Sequence, residues 1–130
     1  MPIKNVFNEI KTLTQSIENL SVTDFTQEQE SNEKILLIDL RELQERVDLG
    51  TIPNSKHVPR GMLEFWADPD SPYHKEIFAT KGELILFCAS SWRSALATKT
   101  LQDMGFRNIR DMDGGFTAWK TASLPITKDD

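Results

Sequence analysis

A chain of 130 residues, 38% hydrophobic and 27% charged, is long enough for one domain with a real core and is ordinary for a soluble globular protein. The net charge of -5 argues against nucleic-acid binding and against docking on anionic membranes, since both need basic patches. The lone cysteine, Cys88, excludes an internal disulfide, a Cys-x-x-Cys redox pair and a zinc ribbon.

No apolar leader follows Met-Pro-Ile-Lys-Asn, and no apolar run reaches the roughly 18 residues of a membrane span. With one cysteine this predicts a reducing, cytoplasmic setting. His57 and His74 stand at no metal-ligand spacing, so no metal is expected.

Ile3, Phe7, Ile10, Leu13, Ile17 and Leu20 recur at three- and four-residue steps and predict an amphipathic helix over about residues 3–20. Thr12, Thr14 and Ser16 weaken helix propensity, and Ser16 to Leu20 alternates, so a helix through Leu13 followed by a strand fits equally well. Ser21 and Asp24 stand at capping-box spacing and predict a second helix to about Glu30.

Ile35-Leu36-Leu37-Ile38-Asp39-Leu40 reads as a strand buried on both faces, as in a parallel sheet. A charged helix over Arg41–Leu49 ends at Gly50. Lys56 to Pro59 is a short strand, and Met62 to Trp66 and Tyr73 to Ala79 are short helical pieces. Leu84 to Phe87 is an apolar strand. Arg93 to Met104 is a helix with Ala97, Leu101 and Met104 on one face, Arg107 to Met112 a strand, and Phe116 to Ala122 the last helix. Short strands alternating with short helices give an α/β domain with a mostly parallel central sheet and helices on both faces. Its parts are an amino-terminal extension over 1–20, a core over 21–122 and a tail over 123–130.

In such a sheet ligands sit beyond the carboxyl ends of the strands, where the apolar strand leaves Cys88. A helix opens just after it. The first helical N–H groups lack partners and the helix dipole adds positive charge, so both favour a thiolate, as does Arg93. Four residues separate Cys88 from Arg93, and Ala89, Ser90 and Ser91 are small, which lets successive N–H groups converge on an anion. Cys88 is therefore the candidate nucleophile, and Ala89, Ser90, Ser91, Trp92 and Arg93 form the candidate cradle. No histidine base is needed if the cradle activates the thiol. The plainer reading is a buried structural cysteine. Trp92 is either a lid or core packing, Trp66 and Trp119 are core anchors, and Arg60 is a rim charge or simply solvated.

Four motifs in order resemble the rhodanese-like sulfurtransferase family, from Ile35 to Trp119. Ile38-Asp39-Leu40-Arg41-Glu42 is similar to its Asp-x-Arg-Glu strand end, and Ile52-Pro53-Asn54-Ser55-Lys56-His57-Val58-Pro59 to its Ile-Pro-Gly-Ala-x-His-Ile-Pro loop. Cys88-Ala89-Ser90-Ser91-Trp92-Arg93-Ser94 resembles its active-site loop. Gly105-Phe106 with Gly114-Gly115-Phe116-Thr117-Ala118-Trp119 resembles its carboxyl-terminal signature. Ser91 replaces the usual loop glycine, at a cost if a positive φ is required. Ala89 stands where many members carry arginine, which bears on thiosulfate preference.

The resemblance implies a ping-pong sulfurtransferase. The Cys88 thiolate takes a sulfane sulfur from a small donor, thiosulfate or a persulfide, and passes it to a thiophilic acceptor, either a small thiol or a protein. The loop N–H groups hold the persulfide, and no cofactor, nucleic acid or membrane is implied. Arg93 steers anionic donors or pairs with an acid, Asp39 or Glu42. Asp39, Arg41, Arg60 and Ser94 are rim or support residues, with Asp39 and Arg41 read as scaffold. A non-turnover sulfur carrier or interaction module is one alternative. A cysteine-dependent phosphatase or arsenate reductase is another, although those relatives carry one more residue between Cys and Arg.

Overall fold

The computed structural model describes residues 2–32 and 34–128. The first helix, α1 (Val6–Leu13), starts at Asn5, whose side-chain oxygen accepts from the N–H groups of Phe7 and Asn8, both at 3.1 Å. Its end resolves the two readings of this segment in favour of the split. The Thr14 hydroxyl donates to the Ile10 carbonyl at 2.6 Å and the Ser16 hydroxyl to Leu13 at 2.9 Å. These bonds satisfy the last helical carbonyls, so after a single 3-10 turn the chain leaves as strand β1 (Glu18–Leu20). Helix α2 (Val22–Ser31) follows, its Asp24 N–H capped by the Ser21 hydroxyl at 3.0 Å.

The remaining elements are β2 (Ile35–Asp39), α3 (Leu43–Leu49), β3 (Lys56–His57), α4 (Leu63–Ala67), β4 (Glu83–Phe87), α5 (Trp92–Met104), β5 (Ile109–Met112) and α6 (Gly115–Thr121). The sheet order is β1-β5-β4-β2-β3. Every pairing is parallel, a stricter arrangement than the mostly parallel sheet expected.

The period of two divides the strands between two cores. Ile38, Leu84, Leu86 and Ile109 face one side, packed with Leu63 and Ala67 of α4 and with Ala97 and Leu101 of α5. Leu37, Ile85, Phe87, Met112 and Leu20 face the other, packed with Phe25 of α2 and with Phe116 and Trp119 of α6. Helix α1 adds a satellite cluster in which Leu13 and Ile17 meet Ala95 of α5. Trp119 is buried, its indole N–H donating to the Pro125 carbonyl at 2.7 Å. Trp66 packs against the edge of the first core. Met104 differs from expectation. It is exposed, and the inner face of α5 is Ser94, Ala95, Ala97, Thr98 and Leu101. Met104 falls three residues after Leu101, at the last helical position before Gly105.

Candidate active site

Strand β4 delivers Cys88 to the carboxyl end of the sheet, and α5 begins four residues later. The Cys88 side chain is buried, on the α5 side of the sheet, because it continues the alternation Leu84, Leu86. The Ser94 N–H donates to Cys88 Sγ at 3.4 Å, and the Ser94 hydroxyl lies at the same distance from it. Ser94 therefore meets the sulfur with two polar groups. It is fully buried and does more at the sulfur than the support position expected of it.

The loop is fixed from its other side. The Phe116 N–H donates to the Cys88 carbonyl at 2.8 Å and the Thr117 N–H to the Ala89 carbonyl at 3.0 Å. The first turn of α6 thus holds the carbonyls of the loop. At Gly115, a Cβ would meet the Cys88 carbonyl oxygen at 2.3 Å, so only glycine lets α6 approach this closely.

Ser91 has φ 75°, the left-handed conformation that the glycine of related loops provides without strain. Its side chain offsets the cost. The hydroxyl donates to the Met112 carbonyl at 3.0 Å and accepts from the Gly114 N–H at 2.7 Å. One hydroxyl ties the cysteine loop to the turn between β5 and α6. Ala89 is partly exposed and Ser90 exposed at the crest of the loop.

Arg93 does not pair with Asp39 or Glu42. Its two terminal nitrogens donate to the two carboxylate oxygens of Glu45 on α3, at 2.7 and 3.0 Å. The hydrogen bond to Arg93 holds the Glu45 carboxyl below its ordinary range, while the same bond raises Arg93. Both side chains are about one-third exposed (36% and 29%), so the pair lies at the rim. Glu42 is instead the residue before α3, its N–H donating to Glu45 at 3.0 Å. Asp39 is occupied elsewhere.

Asp39 and Arg41 are fully buried. Arg41 donates to both Asp39 oxygens, at 3.0 and 2.9 Å, and to the Gly50 carbonyl at 2.7 Å. Arg46 and the Thr51 hydroxyl converge on the second Asp39 oxygen, and the Arg41 guanidinium lies 4.2 Å from the centre of the Phe116 ring. The network links the end of β2 to α3 and α6, and its interior carboxylate is matched by two guanidinium groups.

Arg60 donates to Glu64 at 2.7 Å and to Thr100 at 3.4 Å, bonds that hold it on α4 and α5. Trp92 is not core packing. It is 55% exposed and meets the equally exposed Phe7 of α1 edge to face, centroids 5.0 Å apart. His57 sits with Nε2 2.7 Å from the Arg41 carbonyl. Among the described residues no His, Cys, Asp and Glu cluster could hold a metal ion, and no helix is long and apolar enough to cross a membrane.

Two acidic residues of the site region lie outside what sequence reasoning singled out. Glu45 is one. Asp111 of β5 is the other, and it faces α5 because it alternates with Ile109. It is buried, and burial pushes its carboxyl up to about 7.

Residues 21–122 match the family described as the Rhodanese-like domain. The chain belongs to that family. A relative in Bacillus subtilis, YtwF, named as a candidate sulfurtransferase, is 30% identical over 109 residues, which cover 84% of this chain and 96% of YtwF. The polysulfide-sulfur transferase homodimer of Wolinella succinogenes superposes with a TM-score of 0.70 at 30% identity, over 95% of this chain and 87% of that one. A Rhodopseudomonas palustris protein, RPA3614, described as of unknown function and a possible tyrosine phosphatase, superposes with a TM-score of 0.90 at 38% identity, over 97% and 98% of the two chains. The cysteine loop of this rhodanese-like domain therefore lies on a fold shared with proteins named for sulfur transfer and with one named for phosphate chemistry.

Proposed function

We propose that this rhodanese-like domain is a sulfurtransferase that moves a sulfane sulfur through a persulfide on Cys88. The observation that carries the reading is the setting of the sulfur. Cys88 Sγ has both polar groups of Ser94 at 3.4 Å, at the head of a 13-residue helix whose dipole favours negative charge there. The loop carbonyls point into α6, which leaves the N–H groups of Ala89 to Arg93 to receive a persulfide anion.

The reaction balances on this thiolate alone. Cys88 attacks the outer sulfur of thiosulfate, the S–S bond of the donor breaks and sulfite leaves with its electron pair. A persulfide donor releases a thiolate in the same way. An acceptor thiolate or cyanide then attacks the outer persulfide sulfur and regenerates the Cys88 thiolate. The partners are thus a small sulfur donor and a small or protein thiol acceptor, in a reducing, cytoplasmic setting. Ala89 adds no charge to the crest of the loop, which suits a persulfide donor better than a sulfonate-bearing one.

Phosphate chemistry is the second enzyme reading, and it bears on the relative described as a possible tyrosine phosphatase. A phosphoryl group calls for a free guanidinium fork beside the nucleophile. Here both terminal nitrogens of Arg93 are engaged by Glu45. The decisive comparison is turnover on two substrates, thiosulfate with cyanide and an aryl phosphate, for the native protein and Cys88→Ser. Thiocyanate formed only by the native protein supports sulfur transfer. Aryl phosphate hydrolysis lost in Cys88→Ser, without thiocyanate, would overturn it. Sulfur loading without thiocyanate release would turn the enzyme into a carrier.

A further inference from the structure

An ion pair ties the helix that follows the cysteine loop to its neighbour. Strands β2 and β4 pair directly, with Asp39 opposite Phe87, so α3 and α5 leave the sheet from neighbouring strand ends. Cys88 directly follows one of those ends. Glu45 stands in the first turn of α3 and Arg93 in the first turn of α5. Their two-toothed contact, at 2.7 and 3.0 Å, joins the two helix heads.

The backbone of Arg93 is already at the sulfur. The N–H that reaches Cys88 Sγ at 3.4 Å belongs to the peptide between Arg93 and Ser94. The Arg93 side chain therefore springs from beside the nucleophile, where a guanidinium fork for an oxyanion would stand. Glu45 takes that fork instead. Its Oε1 also accepts from the Glu42 N–H at 3.0 Å, as one half of a capping box. The carboxylate is thus fixed by its own helix and has little freedom left to lose when it binds Arg93.

The other arginines after the strand ends are matched in the same way. Arg41 and Arg46 converge on Asp39, and Arg60 donates to Glu64. Ala89 and Ser90 at the crest of the loop carry no charge. Thiosulfate and a persulfide ask different things of such a site. Both present a sulfur to Cys88, which loop N–H groups can receive. Thiosulfate also brings sulfonate oxygens, whose recognition calls for an unoccupied bidentate donor. A persulfide brings none.

We infer that Glu45 is a specificity-determining residue that withholds the Arg93 fork from oxyanions and so sets the Cys88 site for persulfide donors. The inference rests on the sulfurtransferase reading of Cys88. Glu45 acts through Arg93 and touches neither the sulfur nor the donor.

The test is sulfate, an unreactive tetrahedral dianion, titrated into the protein and followed by the amide resonances of residues 88–94. Glu45→Gln keeps an oxygen for the Glu42 N–H, since Gln serves in a capping box as Glu does. It removes the charge and puts a donor where one acceptor of Arg93 stood. Sulfate should bind this variant about three- to tenfold tighter than the native protein, a modest factor because the pair is partly solvated. A loosened fold would weaken binding rather than tighten it. Adding Arg93→Gln should return the affinity to the native level. Equal or weaker binding in Glu45→Gln, no binding to either protein, or a gain that survives Arg93→Gln would overturn the inference.

The native protein gives a check that needs no variant. Sulfate should leave the Arg93 Nε–H resonance in place, and a shift there would also overturn the inference. The sulfur reading fails separately. Tighter sulfate binding in Glu45→Gln, with no sulfur uptake by the native protein from a persulfide, would sink the transferase and leave the hold of Glu45 on Arg93 intact.

Discussion

Replacing Asp111 with Asn should make the protein more stable above neutral pH, although it removes a buried acid from the central sheet. The carboxyl stands at about 7 in the folded chain against an ordinary value of 3.8. Because the folded value is the higher one, the native state holds a proton that the unfolded state has already released between these limits. Stability is therefore fully present below the unfolded value and is lost as pH rises through the folded one. At about 1.4 kcal/mol per pH unit, ionising Asp111 in place costs the native state roughly 4 kcal/mol. Asn carries no charge in either state and avoids that loss. Urea unfolding of both proteins between pH 4 and pH 8 isolates it, since all other titrations cancel in the difference. The two should be similar in acid, with Asp111→Asn ahead by several kcal/mol in mild alkali. A difference that does not vary with pH would refute the reasoning about this carboxyl.

Three further outcomes follow from the same contacts. Ser91→Ala keeps the left-handed backbone strain and loses both hydroxyl bonds, so it should cost about 1–3 kcal/mol, whereas Ser91→Gly loses the bonds but relieves the strain and should fall between Ala and the native protein. Denaturant midpoints give the order. Asp39→Asn leaves Arg41 and Arg46 facing a neutral group in the interior and should cost roughly 3–5 kcal/mol, seen as a large drop in thermal midpoint. Glu45→Gln should cost under about 1 kcal/mol, because its pair with Arg93 is partly solvated. Since Arg93 holds Glu45 below its ordinary range, the pair contributes above the unfolded value and its contribution disappears as pH falls, so the two proteins should converge in acid unfolding experiments.

The strands were legible because burial on both faces leaves a run such as Leu84 to Phe87 with no polar interruption. The cysteine loop was legible because its chemistry is carried by near neighbours, Cys88 to Ser94. What escaped lies at long sequence separation. Glu45 and Arg93 are 48 positions apart, and nothing local distinguishes Glu45 from Glu42 as the partner. The difference is which side of α3 turns toward α5. Asp111 reads as an ordinary polar residue in a strand pattern, and only the placement of β5 beside β4 sets it opposite Leu86, two residues before Cys88. Its signal was faint but present. It is an acid at an inward position of a strand whose alternation partner, Ile109, is apolar.

The end of α1 at Leu13 was legible as one of two readings, and the structure selects it. The apolar spacing from Ile3 to Leu20 is compatible with one helix, and hydroxyl bonds from Thr14 and Ser16, invisible to periodicity, decide where it stops. The positive φ of Ser91 could be anticipated only as a cost, because the two partners of its hydroxyl come from the β5–α6 turn.

The most direct test of the account is intact-mass spectrometry after incubation with thiosulfate or a small persulfide. The native protein should gain the mass of one sulfur, located on Cys88 by fragmentation and removed by cyanide, and Cys88→Ser should gain nothing. A native protein that takes up no sulfur from either donor, or a Cys88→Ser protein that does, would contradict it.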